Sequence, residues 1–385
     1  YNYIVICKNF PDGGGVYSSA RSQSRLLAVI GALLLVATFT VTASLSAWAA
    51  MVYFKVPKEL IAVSAIAVTF LMGMINVFGP KHSGSMAISL AIPMVLGMVL
   101  IAVFSVPHLT IVHLEAPHQT FEKNWIGFVG VILALSGVEA IANLTGVMKL
   151  DPGSSMEKPS VNQTSRRAIL LVACEVVFGT ILLGWAMLSI SPEFKAHLSE
   201  RWADMLTVLA EHYGTLAFGK SGGEVFGTAI GIVVGLLLLS AVNTSISALI
   251  GLLYLLVRDG EMPRSFGRLN SHGMPILPMV IATSLPILVI VFSPNQLSLM
   301  ELYAIGVVGA IAVNLGSCVI NRKLNLRWYE RGTMIVTFVI LFCVELTIAK
   351  TKPNALFFVV CILIVGLGLR SFAQRKAGLE TITVS

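Results

Sequence analysis

Charge is what this sequence has little of. Only 12% of its 385 residues are Asp, Glu, Lys or Arg, against about a quarter in an ordinary soluble domain. With 56% hydrophobic residues and a mean hydropathy of +0.87, a water-soluble globule is excluded. Cysteine is sparse too: Cys7, Cys174, Cys318, Cys343 and Cys361 all lie in or beside apolar runs, with no metal-type spacing. They read as buried thiols, and neither metal nor other cofactor is expected. Nucleotide motifs are lacking. The stretch Pro11-Asp12-Gly13-Gly14-Gly15-Val16-Tyr17 has three glycines, but neither the P-loop pattern nor GxGxxG after a strand. It reads as a helix end turning through positive φ, with Asp12 set to cap the next helix. Strand-type alternation is also missing: the apolar runs are continuous over ~20 residues, as in membrane helices, whereas barrel strands alternate over ~10.

The net charge of +7 does not point to nucleic acid, because the basic residues punctuate the gaps between apolar runs and form no patch with aromatics. No signal peptide is recognisable. The chain opens on Tyr1, inside what reads as the end of an apolar helix, and the expectation is that the natural N-terminus lies upstream.

A single polytopic domain over 1–385 is expected. A helix fragment runs to about Phe10. Full spans follow at about 26–53, 59–78, 84–106, 125–149, 167–190, 225–257, 275–293, 300–320, 333–349 and 354–371. Assigning alternate loops to opposite sides splits the 26 Lys and Arg residues 18 to 8. The richer side carries Arg21, Arg25, Arg258, Arg264, Arg268 and Arg370, and by the positive-inside rule it is cytoplasmic, as is the C-terminus. A cell (inner) membrane location follows.

Three connections are long. Pro107–Asn124 carries His108, His113 and His118 and reads as a solvated loop. Ser191–Glu224 has Trp202, Leu206, Leu209 and Leu216 at roughly helical spacing and predicts an amphipathic helix across the outer face, a gate or a lid. Asp151–Arg167, rich in Ser, Pro and Asn, predicts a flexible inner loop whose sequon at Asn162 carries no meaning on that side.

Polar residues inside the spans mark where chemistry could sit. Span 125–149 reads WIGFVGVILALSGVEAIANLTGVMK, with Ser136, Gly137 and Glu139 at its middle. A small residue, a glycine and a carboxylate there suggest a broken helix lining a cavity. A mid-membrane carboxylate costs about 3 kcal/mol on insertion scales, so it must pair, protonate or face water. Span 26–53 carries Thr38, Thr40, Thr42, Ser44 and Ser46, with Thr40 and Ser44 on one face. These hydroxyls either bond back to helix carbonyls or line a polar pathway. Asn243, Thr244, Ser245 and Ser247 interrupt span 225–257, and their oxygens suit a monovalent cation. Asn314 and Ser317 are a lesser version of the same. Asn76, near a helix end, reads as a cap. Glu175, Glu224 and Glu345 are further proton-site candidates, Glu175 foremost.

PDGGGVYSSAR, LALSGVEAIANL, VRDGEMPRSFGRLN and LYAIGVVGAIAVN together resemble the amino acid–polyamine–organocation (APC) superfamily over nearly the whole chain. The resemblance implies an all-α membrane protein with the LeuT-type inverted-repeat fold. On it, Tyr1–Phe10 would be the end of helix 2, helix 1 and most of helix 2 would be missing, and span 125–149 would be the broken helix 6. Substrate sits between helices 1 and 6 in that family, so a chain without helix 1 is not expected to transport by itself. Within the superfamily, the glycines after helix 2, the hydroxyls of helix 3, SGVEAI and AVNTSISA look like the KimA-type potassium importers. That likeness would put potassium-contacting hydroxyls at Thr40, Ser44 and Ser136. Ala37-Thr38 departs from the acidic residue those importers carry early in helix 3; they also carry a large C-terminal regulatory domain, whereas the present sequence stops at Ser385.

The function expected is therefore secondary active transport by alternating access, not enzymatic activity. The substrate would be a small amino acid or amine, coupled to protons; proton-coupled potassium uptake is the alternative, and an uncoupled channel or receptor the third. The site residues expected are Thr40, Ser44, Ser136, Gly137, Asn243, Thr244 and Ser247 for substrate or ion. Glu139 and Glu175 are expected to serve coupling or support of the broken helix.

Overall fold

The computed structural model describes residues 1–11, 15–79, 83–112, 119–132, 141–142, 145, 148–155, 159–191 and 198–384, without the side chains of 83–88 and 377–384. The helices run in chain order: α1 Asn2–Asn9, α2 Val16–Arg21, α3 Arg25–Tyr53, α4 Ile61–Asn76, α5 Ser83–Ser105, α6 Phe121–Ile132, α7 Asn162–Ser189, α8 Met205–Arg258, α9 Ile276–Phe292, α10 Gln296–Ile320, α11 Trp328–Thr351 and α12 Pro353–Val384. Eight helical stretches among the described residues are apolar and long enough to cross a bilayer, and α9 is a shorter apolar helix. Among the described residues, the extended structure is one antiparallel bridge, Leu269 to Pro275.

The layering follows from which helices are apolar on all sides. The most apolar windows of α3 and α10 are each 72% buried, whereas those of α5 and α7 are 17% and 6% buried. α3 is therefore the axis, packed on α8, α10, α4, α9 and α12. Val41, Ala43 and Ala47 of α3 form one core with Ile246 and Leu249 of α8 and Ile305, Val308 and Ala312 of α10. Helix ends are satisfied locally. Asn295 caps α10 by accepting from the Ser298 N–H at 2.7 Å, and Glu330 reaches back to the Arg327 N–H at 2.8 Å.

One end of the bundle gathers the loops assigned to the basic side. Asp259, just past α8, accepts from the Tyr17 hydroxyl at 2.7 Å and pairs with Arg21, both on α2. Burial and the adjacent Asp259 carboxylate push the Tyr17 phenol well above its ordinary range, so it remains a donor. Two residues on, Glu261 accepts from Arg370 of α12 at 2.6 Å, with Arg25 Nε at 3.9 Å. Asn321 donates to Ser22 at 2.9 Å at the same end.

Three stretches take a more definite form. Gly15 has φ −75° and stands as the extended N-cap of α2, while the rest of the expected turn and its capping residue, Asp12 to Gly14, lie outside the described residues. The segment before span 225–257 is helical with one apolar face buried, as its spacing predicts, and it is continuous with that span. Residues 205–218 are the first arm of α8, which reverses at Gly219 (φ 76°, ψ 174°) and packs back on the second arm. Its buried face is Val208, Leu209, Ala210 and Tyr213 against Ile101 of α5 and Ala186 of α7, while Trp202 and Leu216 remain 39% and 51% exposed. The Tyr213 hydroxyl donates to the Ala186 carbonyl at 2.7 Å, and Glu211 accepts from Arg201 at 2.6 Å and from Lys55 at 3.3 Å.

The inner loop at 151–167 is tied down at its described ends. α7 already starts at Asn162, and its N-cap, Val161, offers no side-chain acceptor. Asp151 supplies it from ten residues upstream, accepting from the Gln163 and Thr164 N–H groups at 2.9 and 3.0 Å and from the Ser160 hydroxyl at 2.9 Å. Partial burial pushes its carboxyl up, but these donors outweigh that and hold it below its usual value. Its stabilisation is thus complete above the ordinary Asp range near pH ~4 and fades as pH falls toward the depressed value. Asp151→Ala is expected to cost about 1 kcal/mol, the usual worth of a helix cap, and to speed amide exchange in the first turn of α7. Unchanged exchange there would show that the cap does not matter.

Candidate functional site

The hydroxyls of α3 are not equivalent. Thr38 donates to the Leu34 carbonyl at 2.9 Å, Thr42 to the Thr38 carbonyl at 2.7 Å, and Ser44 to the Thr40 carbonyl at 3.0 Å. Each is the back-bond that hydroxyls make in apolar helices. Ser44 also lies 2.9 Å from the Pro286 carbonyl of α9, joining the two helices. Thr40 is the exception. It is fully buried, yet its Oγ1 has no hydrogen-bond partner among the described residues. A buried unmade hydrogen bond costs about 1–3 kcal/mol, and such exceptions call for a cause. The Val36 carbonyl, one turn back, is where its neighbours' pattern would send the bond.

Ser136, Gly137 and Glu139 lie outside the described residues. The chain is fixed on both sides of them. Trp125 of α6 donates to Thr347 of α11 at 2.8 Å. Beyond, Ala142 is buried with Cys7 of α1 and Ile169 of α7, and the Thr145 hydroxyl is 3.3 Å from the Phe10 carbonyl.

Asn243 and Ser247 form a second polar group with Asn76, apart from the α3 row. Asn76, at the end of α4, donates to Asn243 at 2.7 Å and to its own helix at the Met72 carbonyl at 2.8 Å, and accepts from the Ser247 hydroxyl at 2.6 Å. The amide thus caps α4, as its position suggests, and also clamps α4 to α8. The O···H–N order between the two amides follows from this network. Thr244 is exposed and donates to the Ser240 carbonyl at 2.9 Å, while Ser245 is buried.

Glu175 is exposed on α7 and lines a cavity of about 300 Å³ between α5 and α7, walled by Val95, Met98, Phe178 and Leu182. Glu224 is exposed. Asn314 is fully buried and accepts from the Ser19 hydroxyl of α2 at 2.6 Å, so it belongs to the basic end; Ser317 bonds back to the Val313 carbonyl at 2.6 Å. His113 and His118 lie outside the described residues, and the His108 ring is 6.1 Å from that of Tyr213.

An apolar helical bundle with polar groups confined to helix interiors and helix ends defines a multi-pass membrane protein. Residues 5–369 match a family model described as Amino acid permease. The chain belongs to that family, within the APC superfamily: a transporter family whose members take small-molecule substrates. No curated protein matches it.

Proposed function

We propose that the protein is a secondary active transporter that takes up a small amino acid or amine by alternating access, coupled to protons, in the cell membrane with its basic end in the cytoplasm. Membership of the amino acid permease family supports the substrate class. The single observation that supports this site is Thr40, a buried hydroxyl without a hydrogen-bond partner among the described residues, on one of the two most buried helices. Ser136 and Gly137 of the broken helix are read as the opposite wall, with Glu139 supporting the break and Glu175 available for coupling. Asn243, Thr244 and Ser247 would serve the substrate from α8.

Thr40→Val tests this directly. Valine matches the shape, removes no hydrogen bond, and leaves stability unchanged or slightly raised. Uptake of labelled alanine is expected to fall at least tenfold at unchanged thermal stability. Uptake equal to wild type would remove Thr40 from the site. Potassium is the second reading, favoured by the same unpartnered oxygen and its neighbour Ser44. It requires that the full-length protein rescue a strain deficient in potassium uptake and that a Thr40, Ser44, Ser136 triple alanine variant lose that rescue. Failure of either ends the potassium reading.

A further inference from the structure

We propose that Glu345 is a proton-binding site of the transport cycle: a neutral carboxylic acid while the α10–α11 seam is closed, and an ionised carboxylate once that seam opens to water. This rests on the transporter reading above.

The seam has a steady antiparallel register. Glu301 pairs with Lys352 at one end, Gly316 faces Phe338, and the Asn321 carbonyl accepts from Arg331 at 3.3 Å at the other end. In that register Glu345 falls opposite Gly309. A Cβ built on Gly309 would lie 3.1 Å from Glu345 Oε1 and 3.4 Å from the Leu34 side chain of α3. The carboxyl therefore sits in the space a side chain at 309 would take, at the junction of α3, α10 and α11. Its Oε2 is buried and has no hydrogen-bond partner among the described residues. A carboxylate so placed would be an unpaired charge in an apolar interior, which does not persist; the neutral acid is the form that fits.

Among the described residues, the groups around it offer no counter-charge. On α10, Glu301 is held by Lys352, two turns and about 10 Å of helix rise away. Tyr303 lies between Glu301 and Gly309 on the same helix and brings a phenol, not a cation, and Cys318 is packed by Asn314. The one charge on α3 is Arg25, at its first residue. On α12, Arg370 is taken by Glu261, Arg375 and Lys376 lie further along, and Cys361 is the titratable group within the span. α6 brings Glu122 and Lys123 only in its first turn, and the short α1 brings Tyr3, Cys7 and Lys8. On α11 itself, Cys343 is exposed and Lys350 lies more than a turn beyond.

Ionisation then needs water at Gly309, and the proton passes from the carboxyl to that water. Protonation favours the closed seam and deprotonation the open one. This is the differential stabilisation by which a ligand shifts a two-state equilibrium.

The test compares wild type with Glu345→Gln, the neutral isostere, in lipid. The wild type is expected to give, at neutral pH, a protonated-carboxyl infrared stretching band that E345Q lacks. In proteoliposomes, E345Q is expected to keep exchange of labelled for unlabelled alanine, or of rubidium if potassium is the substrate. It should lose at least tenfold of the uptake driven by an inward proton gradient. A band identical in the two proteins overturns the proposal, and so does gradient-driven uptake equal to wild type. A wild type that exchanges neither probe counts against the transporter reading instead, while the infrared comparison still decides whether Glu345 carries a proton.

Discussion

Glu261→Ala is expected to lower stability by about 3–5 kcal/mol, the penalty for removing one partner of a buried ion pair. Glu261 is 2% exposed, and it accepts from Arg370 Nε at 2.6 Å. The side chains of the pair are 3% and 16% exposed, so the guanidinium left behind cannot rehydrate in place. The loss would part three elements at once: the start of α3, through Arg25; the connection after α8; and α12. Asp259→Ala is a built-in contrast. Its partner Arg21 has a side chain 42% exposed, and pairs of that kind are worth about 0–1 kcal/mol. The ranking, with Glu261 well above Asp259, is read from thermal unfolding followed by helical circular dichroism in detergent. Equal midpoints for the two variants would contradict it. Replacing both members, as E261M with R370M, should recover most of the loss, because no charge is then stranded.

Gly223→Val is expected to have the second largest effect, at least the 1–3 kcal/mol typical of an overpacked core. A Cβ at 223 would lie 2.6 Å from the Glu211 carbonyl oxygen and 2.7 Å from the Thr215 amide nitrogen. Both are backbone atoms of the first arm of α8, so no rotamer change relieves the clash. The arm must move off, carrying Tyr213 from the Ala186 carbonyl and Glu211 from Arg201. A cysteine at the buried position Ala210 should then react with a water-soluble maleimide in the G223V background and not otherwise. Protection of that cysteine in both backgrounds would show that the arms do not pack as described.

Spans such as those of α3 and α10 were legible in the sequence because a backbone in lipid satisfies its own hydrogen bonds, so an unbroken crossing reads as one continuous apolar run. Expected boundaries such as 26–53 and 300–320 fall within a few residues of α3 and α10. The α8 arms were not legible as such. An apolar stripe reads the same on a lid as on a packed helix, and Gly219, Gly223 and Gly214 differ from ordinary span glycines only through what they touch. Among the site residues, the Thr40 position could be named from spacing. That its hydroxyl lacks a partner among the described residues, while Thr38, Thr42 and Ser44 bond back, depends on neighbours on other helices. Asn76 was read as a cap from its place at a helix end. Its link to Asn243 and Ser247 spans 167 and 171 residues, and no local pattern reports such a pairing. Glu345 was visible as a carboxylate in a span. Only the hairpin register, which sets it against Gly309, distinguishes it from the exposed Glu175 and Glu224.

Counterflow most directly separates a coupled carrier from a channel or receptor. Proteoliposomes holding the full-length protein are loaded with unlabelled alanine and diluted into a trace of labelled alanine; rubidium and potassium serve for the alternative substrate. Alternating access predicts a transient accumulation of label above its outside concentration. It also predicts saturation with outside substrate and a rate accelerated by an inward proton gradient. Label that only equilibrates, linearly with concentration and indifferent to the substrate inside, would contradict the transporter account.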